Sequence, residues 1–276
     1  MNPHAAQRIS FQALLSSLWH NRQLIFQMAR RDVIGRYKGS VFGLAWSFFN
    51  PIFLLVIYTF VFSVVFQSRW GTDPNESKTQ FAIVLFSGMI VHGLFSEVLN
   101  RSSGLILSNK NYVKRVVFPL EILPVIEICA ALFHSMISLG VLLCAYAIFN
   151  GNIQWTVIFV PLVFLPLIIL TLGISWFLAS LGLYVRDMGQ TVSILTMVLM
   201  FMSPVFYPVS RLPPEFQPWL LANPLTFIIE QAREVIIWGH LPDFTGLLIY
   251  TGVAILIAWL GFAWFQKTRK GFADVI

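Results

Sequence analysis

Residues 30–66 read RRDVIGRYKGSVFGLAWSFFNPIFLLVIYTFVFSVVF, which joins a basic segment directly to the first apolar one. The part from Val41 to Phe66 has 26 residues and no charge. A helix rises about 1.5 Å per residue, so this part exceeds the roughly 20 residues that cross a bilayer core. It predicts a membrane-spanning helix. The basic residues before it are Arg30, Arg31, Arg36 and Lys38. Such residues stay on the cytoplasmic side, which orients the span.

The composition of the whole chain favours the same class of protein. Of 276 residues, 57% are hydrophobic and 11% are charged, and the mean hydropathy is +0.77. A soluble domain of this length could not hide so much apolar surface from water. The sequence therefore predicts an all-α polytopic membrane protein.

Six apolar segments predict six transmembrane helices in a single transmembrane domain that comprises residues 1–276. The predicted spans are 41–66, 81–98, 120–149, 156–184, 190–207 and 246–265. Residues 1–40 are expected to be a cytoplasmic lead without a cleavable signal peptide. Within it, residues 11–28 predict an amphipathic interface helix, although the first ten residues could instead be a poorly ordered leader. The positions on its face are Phe11, Leu14, Leu15, Leu18, Arg22 and Ile25.

Basic residues are distributed unevenly between the two predicted sides of the membrane. All but four of the 18 lysines and arginines fall in the lead, in the two connections 99–119 and 185–189, or after the sixth span. The exceptions are Arg69, Lys78, Arg211 and Arg233. Loops rich in Lys and Arg stay in the cytoplasm, so both termini are predicted to be cytoplasmic. The positive charge then reflects topology, and nucleic acid is not an expected partner.

Motifs for catalysis and metal binding are missing from the sequence. Gly35 to Ser40 read GRYKGS, which lacks the spacing of a phosphate-binding loop, and neither HExxH nor GxSxG occurs. Cys129 and Cys144 are 15 residues apart in one predicted helix, a separation of about 22 Å, so they cannot pair. We therefore expect no catalytic residue, no metal site and no cofactor bound by this chain.

Four segments, in their order along the chain, resemble the transmembrane subunit of an ABC exporter. They are RRDVIGRYKGSVFGLAWSFFNPIFLLVIYTFVFS at 30–63, NYVKRVVFPLEILP at 111–124, YVRDMGQ at 184–190, and SPVFYP with NPLTFIIEQAR at 203–208 and 223–233. Among ABC exporters, the chain is similar to those that move lipid-linked O-antigen, capsule or teichoic acid chains. The resemblance extends from residue 22 to the C-terminus and does not specify the polymer.

This resemblance implies a permease subunit in the bacterial cytoplasmic membrane. Such subunits work as homodimers, each bound to a separate ATPase subunit that holds the ATP and Mg²⁺, which agrees with the missing phosphate-binding loop. The resemblance also implies a surface helix before the first span and a cytoplasmic coupling helix between the second and third. The expected substrate is a lipid-linked polysaccharide, and a small-molecule exporter of the same fold is the alternative.

The connection between the second and third spans is the candidate coupling segment. An apolar patch flanked by basic residues on the cytoplasmic side is typical of a protein-binding helix. The expected ATPase-coupling residues are Leu105, Ile106, Lys110, Tyr112, Lys114 and Arg115. Alternatively, the basic residues only anchor lipid headgroups and orient the chain.

Polar and aromatic residues at helical spacing predict the lining of a pathway for a polysaccharide. Hydroxyls and amides would hydrogen-bond sugars, and flat rings would contact their C–H faces. The expected lining is Ser47, Asn50, Tyr58 and Phe62 on the first span and Ser193, Thr196, Met200, Ser203 and Tyr207 on the fifth. Small polar residues at this spacing also mediate helix packing in lipid, which is the alternative.

Glu127 and His134 are ionisable residues well inside the third predicted span, beyond Glu121 at its start, and their seven-residue spacing puts them on one face. Ionisable residues within a span suggest function. Because Glu127 lies near the cytoplasmic end, a water-accessible structural role is favoured over a proton relay. A proton-coupled secondary transporter would need that relay, yet no inverted repeat of broken helices is visible.

Residues 207–243 are predicted to form an outward-side re-entrant hairpin between the fifth and sixth spans. Asn223 and Pro224 are typical of an N-cap and first helical position, and Gly239 of a stop. The resulting helix, 224–238, is about 22 Å long and too short to cross. The expected outward-gate residues are Asn223, Pro224, Glu230, Arg233 and Glu234. Together with Thr226, the three charged residues are expected to face water or the exit. A seventh span would have to bury those charges.

Overall fold

The computed structural model describes residues 10–66, 70, 78–114 and 118–276, without the side chains of Phe11 and Lys78. Every regular element in these ranges is helical, which confirms the predicted all-α class. The α-helices are α1 Phe11–His20, α2 Arg22–Arg36, α3 Trp46–Tyr58, α4 Lys78–Ser102, α5 Leu105–Ser108, α6 Lys110–Lys114, α7 Leu123–Asn150, α8 Val160–Tyr184, α9 Met188–Phe201, α10 Gln217–Leu221, α11 Pro224–Arg233, α12 Phe244–Thr268 and α13 Phe272–Val275.

Several α-helices are extended by turns of other helical types. A π-helical segment, Thr59–Val65, continues α3, and another, Glu234–Trp238, continues α11. Short 3₁₀ segments precede α3, α7 and α8, at Gly43–Ala45, Leu120–Ile122 and Trp155–Phe159. Two further 3₁₀ turns occupy Val209–Arg211 and Arg269–Gly271.

Five helical segments in the described ranges are long and apolar enough to cross a membrane. They are Gly43–Val65, Thr79–Ser102, Leu120–Asn150, Trp155–Tyr184 and Phe244–Val275, which correspond to predicted spans one to four and six. The fifth predicted span, 190–207, is represented by α9, an apolar helix of 14 residues. It ends at Phe201 because Pro204 disfavours helical backbone at the residue before it and cannot donate to the helical ladder.

The spans differ widely in how far the protein itself covers them. In the most apolar stretch of the second span, 78% is buried, against 11% in the first span. α4 is therefore the central helix, packed against α3, α7, α8, α9 and α11. The first span lies at the periphery and presents a large apolar surface.

The predicted interface helix 11–28 is two helices, α1 and α2, separated at Asn21. Leu14 and Ile25 are buried, as an amphipathic face requires, whereas Leu15 is exposed. α2 continues to Arg36 and packs against α7. The chain therefore forms two helices where one was predicted, and the buried face of α2 packs against the bundle.

Two glycines with positive φ separate α2 from α3. Gly39 has φ +90° and Gly43 has φ +52°, a region that residues with a side chain rarely adopt. The chain therefore bends between the basic lead and the first span.

Candidate transport site

The helical bundle has two ends, which we call the α2 end and the α11 end after a helix that lies at each. Polar contacts between helices are found at both. At the α2 end, Arg269 binds Glu121 at 2.7 Å and the hydroxyls of Ser180 and Thr268 are 2.7 Å apart. At the α11 end, Thr156 donates to the Val235 carbonyl at 2.6 Å. The candidate sites predicted from the sequence lie at these two ends and along α3 and α9.

The candidate coupling segment lies at the α2 end, but its apolar residues face inward. Leu105 and Ile106 are buried in an apolar cluster with Leu14, Ile25 and Met28. Their predicted contact with an ATPase is therefore wrong for the surface of this chain, since α1 and α2 already cover them. Sequence alone could not reveal that cover, because the two segments are about 80 residues apart.

Other residues of the coupling segment are accessible. Lys110 and Lys114 are exposed, and so is Leu107, which the sequence analysis did not select. Tyr112 is half-buried, stacks on Phe118 with 4.6 Å between ring centroids, and accepts a hydrogen bond from Arg31 at 3.0 Å. The predicted residue Arg115 lies outside the described residues.

A network of ion pairs joins α2 to α4 and α7. Arg101 donates to both carboxylate oxygens of Asp32 at 2.8 Å, and its Nε lies 2.7 Å from Oε2 of Glu127. Arg36 pairs with Glu97, and its Nε lies 3.6 Å from Asp32. We name these five residues the α2 network. Bidentate arginine–carboxylate pairs fix both distance and orientation, so the network holds the three helices in one arrangement.

The surroundings of Asp32 favour the ionised form of its carboxyl. Burial raises the pKa of its carboxyl, but the hydrogen bonds and charge of Arg101, followed by Arg36, outweigh that effect. The pKa of Asp32 consequently lies below its ordinary value. At neutral pH the bidentate contact with Arg101 is therefore between full charges.

The two ionisable residues of the third span have separate partners. Glu127 binds Arg101, whereas Nδ1 of His134 lies 3.4 Å from the hydroxyl of Tyr37. Both side chains face α2 or the segment that follows it, as the shared helical face predicts. The contacts assign Glu127 to the α2 network.

The predicted pathway lining is only partly exposed. Asn50 and Ser193 are exposed, and Tyr58, Phe62, Met200 and Tyr207 are half-buried. By contrast, Ser47, Thr196 and Ser203 are buried. Their hydroxyls donate to Leu44, Ser193 and Leu199 carbonyls at 2.7, 3.0 and 2.5 Å.

Because these three side chains are buried, the prediction that they line a pathway is wrong. Ser47, Thr196 and Ser203 face the interior of the protomer and act in packing, which was the alternative interpretation. The stripe on the fifth span is also wrong beyond α9, because Ser203 and Tyr207 follow the helix end at Phe201. Asn50 and Ser193 are the polar positions of the stripes that remain on the surface.

The predicted gate helix forms as the sequence indicates. α11 and its π-helical continuation occupy residues 224–238. The Asn223 side chain caps the helix by accepting from the Leu225 amide at 2.9 Å, and Gly239 ends it with φ +72°. The predicted bounds, cap and stop are confirmed.

The surroundings of this helix differ from the prediction. Thr226 and Arg233 are buried, while Glu230 and Glu234 are partly exposed. Nδ2 of Asn223 donates to the Met202 carbonyl at 3.0 Å and to Ser203 Oγ at 2.9 Å. The expectation that the whole polar side faces water is therefore wrong, because other helices enclose α11.

Arg233 is the best-enclosed charge among the described residues. It donates to the Val84 and Val205 carbonyls at 3.2 Å each and to Glu230 at 3.0 Å. Its guanidinium carbon lies 4.2 Å from the centroid of the Trp70 ring. Arg233 thus joins α4, the segment after α9 and residue 70 to the helix that carries it.

The sequence analysis missed several of these residues. Arg36 and Arg101 entered the sequence analysis only as basic charges of the lead and a connection, and Asp32, Glu97 and Trp70 were not selected. A charge near the end of a span was the available signal, but the partners are as much as 69 positions apart, as for Asp32 and Arg101. Such pairings have no local sequence pattern.

Proteins named for polysaccharide export are similar to this chain over most of its length. The O-antigen export system permease protein RfbA of Myxococcus xanthus is 26% identical over 265 residues, 95% of this chain and 99% of that protein. A Klebsiella pneumoniae protein of the same name is 27% identical over 92% of this chain and 95% of its own length. The polysialic acid transport protein KpsM of Escherichia coli is 28% identical over 87% of this chain and 91% of that protein.

The chain also matches a protein family as a whole, so its assignment does not depend on any single relative. Residues 23–237 match the family described as ABC-2 type transporter, and this range contains α3 to α11 and all of α2 except its first residue. Since the match covers well over half of the 276 residues, the chain belongs to the ABC-2 type transporter family.

Proposed function

We propose that the chain is the membrane-spanning subunit of an ATP-driven exporter that moves a lipid-linked polysaccharide across the bacterial cytoplasmic membrane. The observation that carries this proposal is the full-length similarity to permeases named for export of O-antigen and polysialic acid. ATP, with Mg²⁺, binds a separate ATPase subunit, as is usual for permease subunits of ABC transporters. Two copies of each subunit form the complex.

Loss of the chain from its source cell tests this function. We expect cells without it to lose a surface polysaccharide and to retain the lipid-linked polymer inside the cytoplasmic membrane. Cells with an intact permease but an ATPase subunit unable to hydrolyse ATP should show the same defect. Normal surface polysaccharide together with the loss of export of a small molecule would contradict the proposal and favour the small-molecule exporter.

Six membrane crossings are proposed, with residues 188–207 as the fifth. Gly189 lies beside Ser103 at the α2 end, where an added Cβ would be 3.6 Å from its Oγ. The Val205 carbonyl instead accepts from Arg233 at the α11 end. The segment therefore travels between the two ends although α9 itself has 14 residues. This path supports an even number of crossings and both termini in the cytoplasm, with 207–243 as a re-entrant hairpin on the outside.

Cysteine labelling tests this topology. In a background where Cys129 and Cys144 have been replaced, His240→Cys should react with a membrane-impermeant thiol reagent added outside, because that side chain is 72% exposed. Lys270→Cys is also exposed but lies at the α2 end, so it should react only after the membrane is opened. The opposite labelling pattern would show that the orientation is wrong.

A second copy of the chain is proposed to face α3 and α9. Asn50 and Ser193 are exposed on these two largely apolar helices. An amide facing lipid has no hydrogen-bond partner and is costly to bury in hydrocarbon, so contact with a partner or a polar pathway is favoured. This supports a homodimer whose pathway runs between the two copies and is lined by Asn50, Ser193 and the half-buried ring of Tyr58.

The exposed part of the coupling segment is proposed to bind the ATPase. Leu107→Asp should reduce co-purification of the ATPase subunit by about tenfold, since a charge would be placed in an apolar contact at the centre of a protein interface. The double change Lys110→Glu and Lys114→Glu should act in the same direction. Membrane insertion should be unchanged because all three side chains are exposed.

Val275→Asp is the matched control for Leu107→Asp, since it adds the same charge at another exposed apolar residue. It should leave co-purification of the ATPase near the level of the unchanged protein. Equal co-purification by Leu107→Asp and the unchanged protein would contradict this docking surface.

A further inference from the structure

α2 is attached on one side to the coupling segment. Arg31 donates to Tyr112 of α6 at 3.0 Å, and the buried side chains of Ile25 and Met28 share one apolar cluster with Leu105 of α5. Arg101, at the end of α4, precedes α5 by three residues and binds Asp32 of α2 through both carboxylate oxygens. A displacement of α5 and α6 therefore cannot leave α2 behind without breaking these contacts.

α2 is attached on its other side to the first span. The connection from Arg36 to Gly43 contains the two glycines of positive φ, Gly39 and Gly43, and a Cβ added to either would meet open space. A bend of this kind can change angle without a clash. The first span that follows is also the least covered of the five candidate spans, with 11% of its most apolar stretch buried.

We propose that α2 is a lever that carries the movement of the coupling segment to the first span, and that the Asp32–Arg101 contact makes it follow. The proposal rests on the proposed function, because it assumes that an ATPase moves the coupling segment. Arg101 and Asp32 are positioning residues, since they act through α2 and α3. Glu127 orients Arg101 from the α7 side, with 3.2 Å between Nη2 and Oε1.

Behind the contacts of α2, α4 and α8 are held together closely. α4, α7 and α8 enclose the central apolar cluster, and Ser102 of α4 lies 2.6 Å from Ser175 of α8 through their hydroxyls. A Cβ on Gly182 of α8 would overlap the Ser103 carbonyl, so the two helices are in backbone contact. The first span also contacts α4 and α7, but it is the least covered of the five candidate spans.

Asp32→Asn tests the contact with little change of shape. An amide keeps one acceptor oxygen but loses the charge and the bidentate geometry, so we expect export to fall by about tenfold, within the usual range of coupling between sites. Co-purification of the ATPase and its ATP hydrolysis should persist, which separates lost coupling from lost assembly. Asp32→Glu keeps the carboxylate and should restore most of the export.

Asp274→Asn is the matched control, because it makes the same chemical change at an exposed aspartate of the α2 end. It should export like the unchanged protein. Equal export by Asp32→Asn and the unchanged protein would overturn the lever. So would joint loss of export and of ATPase co-purification in Asp32→Asn, because the contact would then serve only assembly.

A spin label reports the movement directly. With Cys129 and Cys144 replaced, Phe60→Cys places a nitroxide on the exposed face of the first span, and the homodimer then gives one label-to-label distance. We expect this distance to change on binding of a non-hydrolysable ATP analogue, and the change to vanish when Asp32→Asn is added. A persisting change with Asp32→Asn overturns the lever. No change in the protein with intact Asp32 would likewise overturn the lever if that protein exports the polymer, whereas absence of export would contradict the function on which the lever rests.

Discussion

Arg233→Ala should largely abolish the recovery of folded protein. The guanidinium is 1% exposed and satisfies the Val84 and Val205 carbonyls as well as Glu230. Alanine would remove the donor to the Val205 carbonyl and the partner of Glu230, whereas the Val84 carbonyl keeps the hydroxyl of Ser87. Because Glu230 is 38% exposed and partly solvated, the cost should fall below the about 3–5 kcal/mol of a fully buried pair, but it is still a considerable part of a typical stability of about 5–15 kcal/mol.

Thermal unfolding of the detergent-purified protein measures this effect. Arg186→Ala removes an exposed arginine and should leave the melting temperature within the error of the measurement. Arg233→Lys should fall between, since an ammonium keeps the charge but cannot donate in a planar fork or stack on Trp70. Gly88→Ala gives a second approach, because its Cβ would lie 2.9 Å from Nη2 of Arg233. An unchanged melting temperature for Arg233→Ala would contradict this account.

Local features of the sequence predicted the elements of the fold well. Four long spans and the sixth are set by uncharged apolar runs of helical length, and the helix 224–238 is set by Asn223, Pro224 and Gly239, whose effects on the backbone are local. The fifth span was too long in the prediction because its apolar composition continues past Phe201, while Pro204 ends the helical hydrogen bonding. At this point the apolar composition favours a longer helix, whereas the proline ends it, and the structure follows the proline.

The faces of the candidate sites were harder to predict than their positions. Leu105 and Ile106 have the composition of a docking patch, but packing with α8 and with the apolar faces of α1 and α2 makes them core residues. Ser203 fits a polar stripe, yet its hydroxyl donates to the Leu199 carbonyl and accepts from the Asn223 amide inside the protein. Helical spacing specifies which residues share a face, but it does not specify what covers that face.

The charged contacts were the least predictable part. Asp32 and Arg101 lie on segments that the sequence analysis assigned to topology, and nothing local distinguishes them from exposed basic or acidic residues. Their significance depends on burial and on a geometry of 2.8 Å on both carboxylate oxygens. Arg233 was assigned to the water-facing side for the same reason, since a charged residue on a helical polar face is usually solvated.

The contact between α8 and α12 yields the second large expected effect, a loss of folded protein in Gly261→Ala. A Cβ on Gly261 would overlap the carbonyl of Gly173, and a Cβ on Gly173 would lie 2.5 Å from Cα of Ala258. Backbone atoms cannot rotate away as a flexible side chain can, so the two helices would have to separate. Small residues that allow such close approach are a usual basis of helix association in membranes.

Separation of α8 and α12 would also disturb the contacts that flank the glycines. Trp176 of α8 meets Phe262 of α12 edge to face at 5.3 Å between centroids, and further along, Arg269 binds the buried Glu121. We therefore expect Gly173→Ala and Gly261→Ala to reduce the melting temperature in the same way, and their combination to cost less than the sum. Two changes at one shared contact are non-additive in this sense.

Gly252→Ala provides the control on the same helix. Nothing lies within 4 Å of a Cβ added there, and alanine favours a helix over glycine by about 1 kcal/mol. Gly252→Ala should leave the melting temperature unchanged or raise it, so the two substitutions on α12 are expected to have opposite signs. A decrease of similar size for both would mean that glycine is needed in α12 for its flexibility. In that case the close approach to Gly173 would not be what Gly261 provides.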